Sequence, residues 1–263
     1  MSPRLALSLL LILAACATPP PPQASRPAPP LARAALAEWQ AWGGVVREGW
    51  PDDRPADTAA TPQRFARLVG YWEAAGGAGV AAQLRRQRAN LETTLSEQGS
   101  SEFAASGPAG PEDIAIYAYP FWSAAFISAV AREAGVPERD LPSSFTHARY
   151  VDAALARAAA DPAGAAFRPE DPASYAPKPG DLLCADRTKG IAYTHWTDRL
   201  AHRGQSRPMH CDVVVRSAPG VVEAIGGNVD EMVVLRRLPA DRQGRVLQAP
   251  GDKSQFFLVL AAR

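Results

Sequence analysis

The sequence predicts an α+β fold, and three observations predict it. Apolar residues recur at three- and four-residue intervals through the N-terminal half. Short β-branched runs crowd the C-terminal third. The helical segments come first and the strands follow as an antiparallel meander, an order that separates α+β from repeated strand–helix–strand units.

The elements follow in chain order. Residues 1–16 read as an export leader: Arg4 supplies the charge and "LALSLLLILAA" a short apolar core. That core is too short for a spanning helix. Residues 17–30, "ATPPPPQASRPAPP", form a proline-rich tether that favours extended backbone. Residues 31–111 read as a helical region. In it "LARAALAEWQAW" brings Leu31, Ala35, Leu36, Trp39 and Trp42 near one face, and "PQRFARLVGYWEAAG" does the same with Phe65, Leu68, Val69 and Trp72. A more polar third helix is expected in "AAQLRRQRANLETTL", followed by a Gly/Ser/Pro loop.

Residues 112–263 form the second region. A helix from Pro120 stops at Gly135, with Pro137 beyond, and another lies in "FTHARYVDAALARAAA". The runs "GDLLC", "HCDVVVR", "GVVEAIGG", "EMVVLRRL" and "SQFFLVLAA" then have the length and composition of strands. A length of 263 residues, 47% hydrophobic and 21% charged, suits a globular protein. A net charge of +1 without any basic run gives no reason to expect nucleic acid as a partner.

Candidate chemistry gathers in the second region. Trp122, Ala125, Phe126, Ala129 and Val130 make one apolar stripe of the helix from Pro120, and Ser123 sits in its first turn beside that stripe. There it lies near unpaired backbone N–H groups and the positive end of the helix dipole, which can stabilise an oxyanion. His210 opens one strand and Asn228 closes the next, so an antiparallel hairpin makes them neighbours. Asp212 shares His210's strand face, where it is either a simple rim carboxylate or a competitor of Asn228 as the partner of His210. "GGN", Gly226 to Asn228, is also a turn signal on its own.

Cys184 ends one strand and Cys211 begins the next, which places a disulfide or a buried thiol pair between them. No closely spaced Cys or His pair has metal-ligand spacing, and no cofactor is expected. His147 begins a helix, in a capping or substrate-facing position. The long connection carrying Arg187, Tyr193, Trp196, His195 and His202 starts and ends beside the proposed site. It either lines a substrate groove or is a solvated insertion packed by its own aromatics.

"FWSAAFISAVAREAG", "PKPGDLLC", "HCDVVV" and "VVEAIGGN" resemble, in order and spacing, the motifs of the CHAP and NlpC-type amidases, papain-like enzymes that cut amide bonds in bacterial cell walls. The serine version resembles a bacterial lipoprotein family catalogued as domain of unknown function 2272. "LAAC" likewise resembles a lipobox. This would make Cys16 the acylated first residue of the mature chain, with Ala17 favouring the outer membrane.

These resemblances imply a papain-like core, with the nucleophile helix packed on an antiparallel sheet. They also imply a cell-envelope location facing the periplasm, and peptidoglycan or cell-wall peptide as substrate. Ser123 stands at the cysteine position, His210 at the base and Asn228 at the orienting group. Trp122, His147, Arg187, Tyr193, Trp196 and Asp212 are expected around the substrate. A thiol can be prepared as thiolate by a helix dipole, worth at most about 2 kcal/mol, but a hydroxyl cannot. Ser123 therefore needs concerted proton removal by an imidazole, or the site is an inactive module that binds cell-wall peptide or a protein partner.

Overall fold

The computed structural model describes residues 27–50, 62–97, 119–190, 192–251 and 253–263. Cys16, the leader at 1–16, most of the tether and the loop at 98–111 lie outside the described residues. In chain order the elements are α1 (Pro30–Ala41), β1 (Val46–Glu48), α2 (Pro62–Ala74), α3 (Ala78–Glu97), α4 (Ser123–Glu133) and α5 (His147–Ala160). Then come β2 (Phe167–Glu170), β3 (Leu182–Asp186), a 3-10 helix (Trp196–His202), β4 (Met209–Ala218), β5 (Val221–Val229), β6 (Met232–Pro239) and β7 (Gln255–Ala262).

The mixed α+β class is realised as one seven-stranded sheet, ordered β1-β6-β5-β4-β3-β7-β2. Its centre is antiparallel, as the meander predicted. Both edges come from segments read otherwise in the sequence. β1 lies inside the helical region and pairs with β6 in parallel. β2 contains Pro169, which lacks an amide hydrogen and is tolerated because β2 is an edge strand.

Alternation along the strands divides two apolar clusters between the sheet's faces. Leu182, Cys184, Cys211, Val213, Ile225 and Leu258 join the larger cluster, which includes α1, α2, α4 and α5. Leu183, Ala185, Val214, Ala224 and Val259 form the smaller one, with Val246 and Tyr175 from connecting loops.

The helical region and α4 share this core. Trp122 stacks on Trp42 with ring centroids 5.2 Å apart and on Tyr71 at 5.7 Å, while Phe126 meets Tyr71 edge-on. Trp42 Nε1 donates to the Tyr71 hydroxyl at 2.8 Å, so the buried polar tips within the stack are matched. α4 begins at Ser123 rather than at Pro120, because Trp122 has φ −114° and ψ 9°, outside the helical well. It ends where the sequence predicts: Gly135 takes φ +73° and the Val136 amide reaches back to the Ala131 carbonyl.

Candidate functional site

Two helix starts meet at the sheet rim. Ser123 is the first residue of α4 and His147 the first residue of α5. The Ser123 hydroxyl lies 2.7 Å from His147 Nε2, and His147 Nδ1 is hydrogen-bonded to the Tyr150 hydroxyl. His147 and Tyr150 meet because residues three apart on a helix share a face. One side chain locks the two helices together. The Ser128 hydroxyl donates to the Ser144 carbonyl at 2.8 Å and accepts from the Ser144 amide at 2.9 Å. That tie fixes the segment entering α5 against α4, and with it the distance between Ser123 and His147.

The partner of Ser123 is thus His147, where the sequence pointed to His210. The reason is strand alternation. His210 follows the parity of Asp212 and opposes Ala185, so it leaves the sheet on the face away from Cys211 and α4. Its Nε2 lies 3.0 Å from Asp212 Oδ1, and Arg236 makes an ion pair with the other oxygen of Asp212. Because His210 is the second residue of β4, at the rim, its ring centroid still lies 5.6 Å from that of His147.

Asn228 is not the partner that holds His210; Asp212 is. Asn228 has φ 55°, at the register shift between Gly226 and Val229, so its place in the fold is set by backbone conformation. Gly226 and Gly227, in contrast, lie inside β5. A Cβ on Gly226 would stand 1.9 Å from Asp212 Oδ1 and 2.8 Å from His210 Nε2. One on Gly227 would stand 2.5 Å from Phe126 Cβ. Each glycine leaves room on one face of the sheet, for the acid–imidazole pair on one side and for α4 on the other.

Burial sets the electrostatics. His147 is held well below its usual value of 6.5, first by burial and then by His210 and Arg187, with Asp212 opposing. His210 is lowered mainly by burial, with Asp212 again opposing. Burial alone would raise Asp212, but Arg236 and His210 outweigh it and hold the carboxylate well below its usual range. Tyr150 is raised well above 10.0 by burial and then by Asp212, so it stays a phenol. With a proton on Nδ1 donated to Tyr150, neutral His147 presents the Nε2 lone pair to the Ser123 hydroxyl. Ser123 opens α4, so the unpaired first-turn amides belong to the same end of that helix.

The remaining candidates divide. Trp122 is fully buried in the aromatic stack and cannot touch a substrate. Tyr193 is also buried, edge-on to Phe257 and covered by the Arg207 guanidinium 3.8 Å from its ring centre, so it packs the long connection rather than lining a groove. Trp196 is half-buried in the 3-10 helix. That helix is anchored to α5 by a bidentate Arg199–Asp152 pair at 2.7 and 2.8 Å.

Arg187 is exposed. Ser123, His147 and His210 keep 8%, 6% and 6% of their surface, and Tyr119, Phe121 and Phe145, all exposed, flank them in sequence. Cys184 and Cys211, opposed in register, are joined as a disulfide. A cavity of about 500 Å³ bounded by Arg33, Glu38, Arg67, Tyr71 and Glu133 lies between α1, α2 and α4, and none of the site residues lines it. Among the described residues no group of three or more His, Cys, Asp or Glu side chains is placed to hold a metal ion.

Tyr150 and Arg236 are the site residues that sequence reasoning missed. Each had a signal: an aromatic hydroxyl one helical turn after a histidine in "THARYV", and the pair Arg236–Arg237 within the otherwise apolar strand "MVVLRRLP". A family model described as an uncharacterized protein conserved in bacteria, DUF2272, matches residues 85–257, a span that includes every residue of the Ser123 site. No curated protein and no solved structure matches the chain.

Proposed function

We propose a hydrolytic function for this chain, which belongs to the bacterial family DUF2272: an amide hydrolase of the cell envelope with Ser123 as nucleophile. The observation that carries the reading is the 2.7 Å hydrogen bond between the Ser123 hydroxyl and His147 Nε2 at the head of α4. As Ser123 Oγ bonds to the substrate carbonyl carbon, its proton passes to His147 Nε2, and Tyr150 fixes the ring so that Nε2 is the accepting nitrogen. The oxyanion forms against the first-turn amides of α4. The C–N bond then breaks, and the leaving amine takes the proton from Nε2. Water attacks the acyl-serine, giving a proton to Nε2, and serine is released when that proton returns to Oγ. His210, held by Asp212 and Arg236, supplies a second imidazole beside the first.

The order of motifs shared with the CHAP and NlpC-type amidases supports a papain-like core, a peptidoglycan or cell-wall peptide substrate and a mechanism adapted to serine. The leader and lipobox at Cys16 support a lipid-anchored location, in the outer membrane facing the periplasm. No helix among the described residues is long and apolar enough to cross a membrane by itself.

The near-complete burial of Ser123 favours a second reading, a papain-like module that binds cell-wall peptide without turnover. A fluorophosphonate probe with intact-mass readout separates the two. The hydrolase reading expects one adduct on the wild type, none on Ser123→Ala and strongly slowed labelling of His147→Ala. Absence of any adduct, with cell-wall fragments still bound, would establish the binding module instead.

A further inference from the structure

One cation at the site lacks a counter-ion. Arg187 follows β3 directly, and Ala185, two residues earlier, opposes His210. Arg187 therefore shares the face of His210, one step closer to the rim. Its backbone amide donates to the Pro208 carbonyl at 3.0 Å, which holds it beside the start of β4. The guanidinium is exposed and makes no ion pair among the described residues, yet its charge reaches both His147 and His210.

The other charges around the hydroxyl are matched. Asp212 is committed to Arg236 and His210, and burial favours the neutral form of both imidazoles. What remains is positive: Arg187, together with the converging N-termini of α4 and α5. His210 is nine-tenths buried, and its Nδ1 has no hydrogen-bond partner, as is also true of Arg236 Nε. Buried polar atoms of this kind are normally paired; with Nε2–H donated to Asp212, neutral His210 offers Nδ1 as an acceptor suited to a substrate N–H, next to the cation of Arg187.

Resting on the hydrolase reading, we propose that Arg187 receives a carboxylate of the substrate, so that the amides cut at Ser123 are those of peptides with a free carboxylate next to the scissile bond. A single guanidinium suits a carboxylate, which it can bind through two parallel N–H···O bonds.

The test uses the full chain carrying Ser123→Ala, which prevents turnover, and calorimetric titration with two probes. These are N-acetyl-dialanine with a free C-terminal carboxylate, in L and D forms, and the same peptides as C-terminal amides. The expected result is about tenfold or more tighter binding of one acid form than of its amide, a preference lost with Arg187→Gln and partly kept with Arg187→Lys. Arg187 is exposed, so the variants should keep the wild-type melting temperature, which is measured alongside. Equal affinity for acid and amide, no binding of either, or a preference that survives Arg187→Gln would each overturn the proposal. Because Ser123→Ala reads binding alone, the two readings fail separately. A preference without probe labelling of the wild type removes the hydrolase and keeps the carboxylate site; labelling without a preference does the reverse.

Discussion

At the scale of single residues, the pairing of Ser123 with His147 determines how the site responds to pH. Catalysis needs His147 neutral, and burial keeps it neutral to well below pH 6.5. The acid limb of the rate profile should therefore lie below the usual histidine value, not at it. The same shift appears in stability with a definite sign. Where the folded pKa is depressed, the unfolded chain binds the extra proton, so stability is complete above about 6.5 and declines as pH falls toward the folded value. Tyr150→Phe should move both readings. It leaves a buried Nδ1–H unpaired, costing about 1–3 kcal/mol of stability, and frees the ring to adopt the unproductive tautomer. Urea titrations and rate profiles between pH 4 and 8 check this, and an acid limb at or above 6.5 would argue against His147 as the base. Ser123 and His210 were legible in the sequence as residues of this region, because a helix start and a strand start are both marked locally. The choice between two imidazoles was not. It depends on strand parity at the rim and on how α5 lands against α4, and neither leaves a mark in the linear chain.

At the scale of elements, the instructive stretch is Gly226–Gly227–Asn228. In sequence it reads as a turn, because all three residues tolerate positive φ. In the structure only Asn228 has positive φ, and the glycines are strand residues chosen for close approach. This yields a pair of contrasting variants. Gly227→Ala drives a methyl against Phe126 Cβ, an atom fixed to the backbone of α4, so helix and strand must separate. Overpacking of this kind costs about 1–3 kcal/mol, and the loss should appear as a lower melting temperature. Gly226→Ala instead meets the carboxylate end of Asp212, which can swing away at the expense of its bond to His210. Its expected signature is reduced turnover or probe labelling with a smaller stability loss. Equal effects of the two variants on both readouts would contradict the division of faces. The edge strands were hidden for a related reason. β1 has three residues, too few for a period, and β2 carries a proline that argues against a strand anywhere but an edge.

At the scale of the whole molecule, the sheet and the helices are held by one core, and a covalent bond crosses its centre. The central antiparallel strands were readable from their β-branched runs, and so were the facing positions of Cys184 and Cys211. The share of the core supplied by α1 and α2 was not, since Trp42 and Tyr71 reach Trp122 only through tertiary contact. The disulfide joins β3 to β4 across a sequence separation of 27, one residue before Asp212 and one after His210. Closing a loop of that length should restrict the unfolded chain by about 3.5 kcal/mol. The bond therefore contributes a large fraction of the roughly 5–15 kcal/mol by which domains are usually stable. Both cysteines are fully buried, so reductant should act only through opening of the sheet. Two measurements follow. Under native conditions reduction should be slow and should accelerate with denaturant. Once reduced, the chain should unfold about 3.5 kcal/mol more easily than the oxidised form of the same sequence, with His210 and Asp212 losing their register as β4 loosens. Rapid reduction without denaturant would mean that β3 and β4 open freely at this point. A stability gap near zero would mean that the unfolded chain already keeps the two cysteines together.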